Sequence, residues 1–548
     1  MIRLLGTSAF ALILVACHAK DDAAPALLSS AAVQATGTDA PSAAPAAASS
    51  ADDAAADDAA DKALSAPPGS TALVDLDGTS HPLPPLDPST PKLAATGLVV
   101  PVYLKPSSES RRVGYLRAGA IVEADEAVAG HDGCPGGWRG IKPIGFVCVG
   151  DKITADLDDP IVKASTRRPD YTQKLPYMYG IVTRGGPAYS RIPTTEELKE
   201  TEPTLSKHLS KWKNDETSGA TYGQDLWFKW KADKPTMSAW DAWEEKVTDP
   251  DVPAYLQNGA TIPDLSGLVK QNTLKIDQID RRQGHAFVDS FLVDGRRWNV
   301  TTDLRVVPAD RYRPIRGSDY HGVQIGKDVK LPFALIRRQG AKKWTWSASK
   351  KKMVDGGALE WRSAWNLTGT QKFSGGILHF ETSDGFWVDD RHASRVDPAK
   401  RMPKWGKNGE RWIDVNITKQ TLVAYDGETP VYATLVSTGE DGLSEGKKST
   451  KKGIFRIHTK YVTTTMDSDA VGEEFELRDV PYVQYFEEGF ALHAAYWHDI
   501  FGQPKSHGCI NLAPEDARRL FYWTEPQVPP RWHGAAKSLT GTVIFIHP

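Results

Sequence analysis

Residues 506–511 read Ser-His-Gly-Cys-Ile-Asn, and a second histidine, His493, lies sixteen residues before Cys509. A thiol nucleophile needs a base within hydrogen-bond reach and donors for the oxyanion that forms when it attacks a carbonyl. This stretch offers both, because Gly508 permits a tight turn and because His493 or His507 can take the thiol proton. An ordinary thiol is only a few per cent ionised near neutral pH, so a paired imidazole matters.

The wider segment ALHAAYWHDIFGQPKSHGCINL, residues 491–512, resembles the signature of the L,D-transpeptidase family. The catalytic domain of that family ends in a His…Ser-His-Gly-Cys-x-Asn/Arg pattern. The resemblance extends over 411–548, through the opening RWIDVNITKQTLVAYDGETPVYATLVSTG and the later KSTKKGIFRI. It implies a mainly β chain with a sandwich-like catalytic domain and short helices. Two positions depart from the family pattern: Ala494 replaces a usual Gly, and Lys451 replaces a frequent Pro.

The resemblance implies that Cys509 is the nucleophile and His493 the base. It gives supporting or oxyanion roles to Ser506, His507, Gly508 and Asn511. The alternative for Cys509 is a buried small apolar residue, which is what most free cysteines are. A zinc site is conceivable from the residue types, but the paired C-x-x-C or H-x-x-x-H spacing of zinc sites is missing. The reaction that the family resemblance implies requires no metal and no organic cofactor, so we expect neither.

Three histidines compete for the role of base. His493 follows two apolar residues, which is typical of the end of a buried strand, and Gly502 and Pro504 can turn the chain back toward it. His507 is only two residues from the thiol, where it more often shapes the turn. His498 lies within the connecting loop, where we expect solvent or substrate as its neighbour. The spacing favours His493.

Length and charge limit the class of protein. The chain has 548 residues, too many for one hydrophobic core, so several domains are expected. Its formal net charge is −3 and its sequence pI is about 6.6. A nucleic-acid partner would favour a basic chain, so we expect none.

The first seventeen residues, MIRLLGTSAFALILVAC, predict export. Arg3 supplies the positive charge of a signal peptide, and residues 4–16 form an apolar run too short to span a bilayer. Residues 14–17 resemble a bacterial lipobox, which implies cleavage before Cys17 and lipidation of that residue. The alternative is an ordinary signal peptide with a chance cysteine. His18, rather than Asp, follows the cleavage point, which favours the periplasmic face of the outer membrane.

Two further cysteines, Cys134 and Cys148, are fourteen residues apart. An exported chain meets an oxidising environment, so the sequence predicts a disulfide between them. Closing a loop of that length contributes about 3 kcal/mol in the chain-entropy model. The alternative is a pair of buried thiols.

The remaining segments divide by composition. Residues 18–92 are dominated by Ala, Asp, Ser and Pro and cannot bury enough apolar surface to fold, which predicts a flexible tether. Residues 93–155 alternate short β-like runs with turns and resemble a small bacterial Src-homology-3-like barrel. That module is either a binder of cell-wall peptide or a spacer.

Residues 156–410 are predicted to be a β-rich region with one helical segment and an internal repeat. The helix begins near Thr195 and is interrupted at Pro203. The stretches that start at Asp294 and Asp384 share an Asp-Gly, a Trp, a basic turn and a closing Pro, about ninety residues apart. The local tryptophans have two alternative roles: they either stack on sugars or pack within the protein. These residues are Trp344, Trp346, Trp361 and Trp365.

The last region, 411–548, carries the strand and helix signals of the catalytic domain. We predict strands at 411–417, 420–426, 430–438, 453–458 and 541–546 from their Val, Ile, Tyr and Thr content. A short helix is predicted from Pro514 to about Trp523, since Pro and two acidic residues fill its first turn. Cys509 is then expected on the loop before this helix.

The family resemblance implies a two-step acyl transfer on peptidoglycan stem peptides. Cys509 would attack the bond after the L-centre of meso-diaminopimelate and release D-Ala, and an acceptor would resolve the thioester. Another stem, a protein lysine, glycine or water can fill that acceptor role. Carbapenems, which acylate the cysteine of the family, are expected to inhibit the protein. The alternative is a cell-wall binding or scaffold protein whose transpeptidase-like domain is inactive.

Overall fold

The computed structural model describes residues 58–65, 73–165, 167–214, 252–265, 267–270, 273–468, 475–536, 538 and 540–548. The signal segment with Cys17 and the larger part of the tether lie outside the described residues. In the described part of the chain, no helix is long and apolar enough to cross a membrane.

The end of the predicted tether is folded rather than flexible. Leu64 and Val74 are buried in the largest hydrophobic core. Arg518 donates to the carbonyl of Gly78 and to Ser80 Oγ, at 2.9 and 2.8 Å. The prediction of a tether up to residue 92 is therefore wrong for 58–65 and 73–92. Composition missed this because a few apolar side chains suffice when an existing core accepts them.

An N-terminal β module covers residues 92–154. Its strands are β1 Lys92–Ala95, β2 Val100–Tyr103, β3 Arg112–Leu116, β4 Ile121–Val128, β5 Trp138–Ile141, β6 Phe146–Cys148 and β7 Ile153–Thr154. They pair in the order β7-β1-β4-β5-β6-β2-β3. Within the described residues this path does not close into a barrel, so the Src-homology-3-like barrel is not confirmed. Cys134 and Cys148 form a disulfide, with a Cα–Cα distance of 5.6 Å.

A second β module covers residues 160–315 and contains the predicted helical segment. Its helices are α1 Pro160–Ala164, α2 Thr195–Thr201 and α3 Leu205–Asn214, with 3-10 turns at Ala254–Gly259 and Ala309–Arg311. Its strands are β8 Met178–Val182, β9 Gly186–Tyr189, β10 Lys275–Ile279, β11 Gln283–Val293, β12 Arg296–Thr301, β13 Val306–Pro308 and β14 Tyr312–Ile315. The helix begins at a Thr194–Glu197 capping box and breaks beside Pro203, as the sequence predicted.

A tryptophan-rich module follows, in residues 323–407. Its elements are β15 Val323–Gln324, β16 Phe333–Ile336, β17 Lys342–Ser347, β18 Lys352–Ala358, β19 Ala364–Ser374, β20 Ile377–Thr382, β21 Trp387–Asp389, β22 Ala393–Val396 and α4 Lys404–Lys407. All but β15 and α4 form a seven-stranded sheet, in the order β18-β17-β21-β20-β19-β16-β22. The Asp-Gly pairs of the predicted repeat are both hairpin turns, between β11 and β12 and between β20 and β21. The two hairpins belong to different sheets.

The C-terminal domain is a sandwich of two sheets. Its elements are β23 Arg411–Asn416, β24 Thr421–Asp426, β25 Thr429–Leu435, β26 Gly453–Arg456, β27 Thr459–Ser468, β28 Phe475–Glu487, β29 Phe490–Ala494, β30 Ile510–Leu512, α5 Pro514–Trp523, β31 Gly534–Ala535 and β32 Val543–His547. One sheet has the order β15-β25-β24-β23-β32-β26. The other pairs β31-β27-β28-β29-β30. The predicted strands and helix are found within a few residues of their expected bounds, and the chain is mainly β as expected.

Neighbouring modules share strand pairs with the C-terminal domain. The N-terminal module joins it through β3 and β31, which are antiparallel. The second module joins it through a short parallel contact between β11 and β28. The tryptophan-rich module contributes β15, which pairs with β25. The site described next therefore lies in a sheet to which the upstream modules are hydrogen-bonded.

Candidate active site

Cys509 and His493 share one face of the sheet because of strand alternation. Strands β29 and β30 are parallel, with Leu492 opposite Ile510 and His493 opposite Asn511. Leu492 and Ile510 point into the sandwich core. Successive side chains of a strand alternate between faces, so His493 and Asn511 lie on the other face. Cys509 directly precedes β30 and lies on that face too, within a different hydrophobic cluster.

The turn that presents Cys509 is held by side chains. Ser506 Oγ accepts from the backbone N–H of Gly508 at 3.0 Å and donates to the carbonyl of Cys509. Thr450 Oγ1 donates to the Gly508 carbonyl at 2.8 Å. Gly508 has a φ of +128°, and a Cβ at this position would lie 2.7 Å from the ring of Phe490. Glycine is therefore required here both for conformation and for space.

This arrangement sharpens the roles expected from the sequence. The N–H of Gly508 is committed to Ser506, so Gly508 forms the turn and is not a ready oxyanion donor. The sequence reasoning did not single out Thr450, although it lies in the KSTKKGIFRI stretch. His507 is half-buried, and its ring lies 5.6 Å from that of Phe475. This places His507 at the side of the turn, against the end of β28.

His493 has the tautomer that a general base needs. Its Nδ1 lies 3.2 Å from the carbonyl oxygen of Ala494, to which an Nδ1–H donates. The proton on Nδ1 leaves Nε2 as the basic nitrogen. Burial lowers the pKa of His493 to about 4, so the imidazole is neutral at physiological pH. Its ring also stacks on Trp497, with centroids 5.6 Å apart, which fixes its plane.

His498 is not the exposed loop residue that we expected. It is fully buried, and Asn511 Nδ2 donates to its Nε2 at 2.9 Å. Burial lowers the pKa of His498 to about 3, which keeps the imidazole neutral and able to accept. The expectation of solvent or substrate contact is therefore wrong. The segment between β29 and β30 folds back on itself and brings His498 behind Asn511, a contact that no local pattern could reveal.

Cys509 is enclosed in the structure. The residue is 1% exposed, and its Sγ lies 3.7 Å from the carbonyl oxygen of Gly489. The hydrophobic cluster around it includes Tyr496 and also Tyr179 of the second module. The rings of these two tyrosines are 4.6 Å apart. Side chains of the second module thus belong to the same hydrophobic cluster as Cys509.

A match to a family model decides the class of this domain. Residues 410–546 match the model described as YkuD, the L,D-transpeptidase catalytic domain. The C-terminal region is an L,D-transpeptidase catalytic domain. The matched range contains β23–β31 and most of β32, together with α5, Cys509 and His493. The family expected from the Ser506–Asn511 stretch is thereby confirmed for this part of the chain.

Solved L,D-transpeptidases are similar to parts of this chain. A crystal structure of an Enterococcus faecium mutant enzyme is 21% identical, with a TM-score of 0.20, over 25% of this chain and 50% of that one. An enzyme from Xylanimonas cellulosilytica is 19% identical, with a TM-score of 0.19, over 28% of this chain and 64% of that one. The Mycobacterium smegmatis enzyme is 18% identical, with a TM-score of 0.21, over 33% and 77%.

The chain therefore spans half to two thirds of the length of the first two of these structures. Their identities and TM-scores are too low to carry an argument, and the assignment rests on the family model. No curated protein matches the chain.

The two departures of this L,D-transpeptidase domain from the family pattern can now be located. The side chain of Ala494 is buried in the sandwich core, on the face opposite to His493. Lys451 is on the surface, where its ammonium group pairs with Glu487. Neither side chain lies on the strand face that carries Cys509 and His493. We conclude that these substitutions leave the strand geometry of the site intact.

A second buried polar cluster joins the L,D-transpeptidase domain to both β modules. Asp479, on β28, accepts from Arg117 of the N-terminal module and from Thr302 of the second module. Thr463 of the neighbouring strand β27 donates to the same carboxylate at 2.7 Å. Burial alone would raise the pKa of Asp479, but the Arg117 guanidinium and the hydroxyl donors hold it below the usual value. We call this set the Asp479 cluster.

Across the described ranges, no three His, Cys, Asp or Glu side chains come close enough together to hold a metal ion.

Proposed function

We propose that the protein is a cysteine-dependent L,D-transpeptidase that acts on peptidoglycan stem peptides through a thioester on Cys509. The observation that carries this proposal is the pairing of β29 with β30, which puts Cys509 and a neutral His493 on one face. Nucleophilic acyl transfer requires a thiol near a neutral imidazole that can accept its proton. With the proton of His493 on Nδ1, its Nε2 can take that role.

The first step is attack by the thiol. The Sγ–H proton of Cys509 passes to His493 Nε2 as sulfur bonds to the carbonyl carbon after the L-centre of meso-diaminopimelate. The bond from that carbon to the D-Ala nitrogen then breaks, and the imidazolium returns the proton to the leaving amine. The products are a thioester on Cys509 and free D-Ala, and His493 is neutral again.

The second step resolves the thioester. An acceptor amine attacks the acyl carbon, His493 takes the proton of that amine, and the proton then returns to the thiolate of Cys509. A second stem as acceptor gives a 3→3 cross-link, a protein lysine gives attachment of that protein, and glycine gives an exchanged stem. Water as acceptor makes the reaction a carboxypeptidase or endopeptidase cleavage. A backbone N–H near Cys509, other than that of Gly508, would serve the oxyanion.

The test is mass spectrometry of muropeptides after incubation with the purified chain. We expect loss of D-Ala from tetrapeptide stems and the appearance of 3→3 dimers or of acceptor-exchanged stems. Cys509→Ala is the matched control and should leave the muropeptides unchanged. If the wild-type protein and Cys509→Ala give the same muropeptides over a long incubation, the proposed activity is wrong.

A second candidate is a scaffold protein with an inactive domain, and the enclosure of Cys509 favours it. A cysteine that is only 1% exposed is hard for a stem peptide to reach. Labelling by a carbapenem separates the two candidates, because it needs the nucleophile but no acceptor. A mass increase of one carbapenem in the wild type, absent from Cys509→Ala, supports the enzyme. No adduct at all supports the scaffold.

The site of action is also a proposal. The LVAC stretch that ends at Cys17 supports a lipid anchor on the periplasmic face of the outer membrane. We expect Cys17→Ala to move the mature protein from the membrane fraction to the soluble fraction when the membranes are washed with high salt, which removes proteins held by charge. Acylation of Cys509 should be unchanged in that variant, so that a failure of the anchor does not bear on the chemistry. Retention of the variant in the salt-washed membranes would contradict the anchor.

A further inference from the structure

The tryptophan-rich module is the basic part of a slightly acidic chain. Residues 321–410 hold 17 Lys and Arg against nine Asp and Glu, while the whole chain has a formal net charge of −3. Four of these cations lie at one end of the seven-stranded sheet. There the hairpin between β17 and β18 and the hairpin between β19 and β20 lie side by side, joined by a bond from Met353 N to Ser374 Oγ of 3.2 Å.

The two hairpin ends carry cations and no acids. Residues 347–353 and 371–379 contain four lysines and no Asp or Glu. The lysines at positions 350, 351 and 352 are all exposed at the tip of the first hairpin. None of their ammonium groups forms an ion pair with a carboxylate in the described part of the chain. The nearest acid along the strand, Asp355, is engaged by Lys342.

An apolar side chain protrudes within this basic end. Phe373 is 71% exposed, the highest value among the large apolar side chains of the described residues. It lies on β19, one residue before the bond that joins the hairpins. A single exposed apolar side chain is common on a protein surface. Phe373 is informative because it lies one residue from the bond to the hairpin that carries the exposed lysines. Its neighbour Lys372 lies over the ring of Trp346, at 3.8 Å.

The tryptophans of this module do not form a platform for sugars. Trp344 donates its Nε1–H to Asp389 at 2.9 Å and contacts His379 edge to face. Trp365 packs edge to face on Phe386. Trp346 is covered by Lys372. Since their faces and edges are used inside the module, we take packing, not stacking on glycan, as the role of these tryptophans.

We propose that the paired hairpin ends, residues 347–352 and 373–377, dock on an anionic phospholipid surface. Exposed lysines are attracted to the negative potential of such a bilayer and gain by counterion release close to it. Phe373 then enters the interface between head groups and acyl chains, where its exposed area is removed from water. A soluble anionic polymer would satisfy the lysines but would leave Phe373 in water. The combination of both features therefore favours a bilayer.

Vesicle binding by the chain from residue 18 to residue 548 tests this proposal. That chain lacks both the apolar run 4–16 and Cys17, so the result is independent of the proposed localisation and of the acyl-transfer activity. We expect co-sedimentation with vesicles of phosphatidylcholine and phosphatidylglycerol, and much weaker binding to phosphatidylcholine alone. The binding should weaken as salt is added, because screening acts on exposed charges.

Two variants and two matched controls locate the surface. Lys350→Gln, Lys351→Gln and Lys352→Gln together should weaken binding to anionic vesicles by more than about tenfold. The same change at Lys400, Lys404 and Lys407, which removes equal charge from the same module, should have much less effect. Phe373→Ser should weaken binding about fivefold. Ile454→Ser, at another exposed apolar side chain, should not.

Three results would overturn the proposal. One is equal binding to neutral and anionic vesicles, and another is equal loss in the two lysine triples. The third is tight binding of alginate, an anionic polysaccharide, that competes with vesicles and is insensitive to Phe373→Ser. That result would assign the surface to a soluble polymer. Thermal unfolding of each variant checks that the module remains folded, so a loss of binding can be attributed to the surface.

Discussion

The Cys509 site and the Asp479 cluster are both buried and polar, and both lie on strands of the same side of the L,D-transpeptidase domain. They differ in how their polar groups are used. Asp479 accepts from Arg117, Thr302 and Thr463, and its own carbonyl accepts from Tyr179 at 2.7 Å. At the Cys509 site, His493 directs one nitrogen to the Ala494 carbonyl and keeps the other basic. The saturated bonding of Asp479 links modules, whereas the free nitrogen of His493 is what the proposed acyl transfer needs.

The two sites also differ in the sequence separation of the residues that form them. The Cys509 site is assembled from residues 450–511, within one domain. The Asp479 cluster joins residues more than 300 positions apart. A motif can therefore reveal the first, and only tertiary structure reveals the second. The following predictions test this contrast, from the largest expected effect to the smallest.

Cys509→Ala should lower acyl transfer and carbapenem acylation by at least about a thousandfold, because no other group at the site can form the thioester. The thermal unfolding temperature should change little, since a buried Cys is replaced by a smaller apolar residue. Acylation followed by mass spectrometry, with circular dichroism as the folding control, measures both. Appreciable acylation of Cys509→Ala would mean that another residue is the nucleophile and would remove the basis of the contrast.

Arg117→Met should lower stability and leave acylation nearly unchanged, the reverse of Cys509→Ala. It leaves the buried carboxylate of Asp479 without its cation, which typically costs about 3–5 kcal/mol. Chemical or thermal unfolding should show this loss, while the acylation rate per folded molecule stays near that of the wild type. Adding Asp479→Asn should recover part of the stability, since the uncompensated charge is then gone. A large fall in acylation without loss of stability would show that the Asp479 cluster belongs to the catalytic machinery.

His493→Ala should slow acylation of Cys509 by at least about a hundredfold, the typical contribution of a general base. His507→Ala serves as the comparison and should lose less, through altered turn geometry alone. Pre-steady-state acylation by a carbapenem at fixed pH gives the rates. A near-normal rate in His493→Ala together with an inactive His507→Ala would transfer the role of base to His507.

His498→Ala should lower acylation by about tenfold, because it leaves the buried amide of Asn511 without its acceptor. His498 acts by positioning Asn511, because it is hydrogen-bonded to Asn511 and not to the reacting atoms. His498→Gln, whose side-chain oxygen can accept, should restore much of the rate, and the pH profile should keep its shape. Equal rates in His498→Ala and the wild type would show that this contact does not position the site.

The smallest expected effect is the fall of the wild-type acylation rate at acid pH. Protonation of His493 removes the basic nitrogen, so acylation should fall as pH drops through about 4, the lowered pKa of this residue. Between pH 7 and pH 5.5 the rate should lose little through the base. The stability of the fold also falls with pH. The unfolded chain binds a proton at this histidine near pH 6.5, whereas the folded chain does so only near pH 4, so acid favours the unfolded state. Circular dichroism at each pH separates the two, and a midpoint near 6.5 would contradict the buried, neutral base.

Much of the catalytic domain could be read from local pattern. The strands of 411–435 and the helix Pro514–Trp523 follow from β-branched runs, Asp-Gly turns and the Pro at the helix start. The return of the chain toward His493 was also expected from Gly502 and Pro504. The barrel expected at 93–155 was not confirmed, and the tether expected up to residue 92 was wrong for 58–65 and 73–92. In both cases the segment contacts distant parts of the chain, through β31 and through the sandwich core.

The sequence by itself determined the chemistry that is possible here. A thiol, an imidazole sixteen residues earlier and a glycine between them specify the reactive groups, because nucleophile, base and turn are encoded within one short stretch. The tertiary structure decided the environment of those groups. It buried His493 and His498, tied Asn511 to His498, and placed Tyr179 of the second module in the same hydrophobic cluster as Cys509. Burial and long-range contacts depend on which distant surfaces meet, and no local run of residues contains that information.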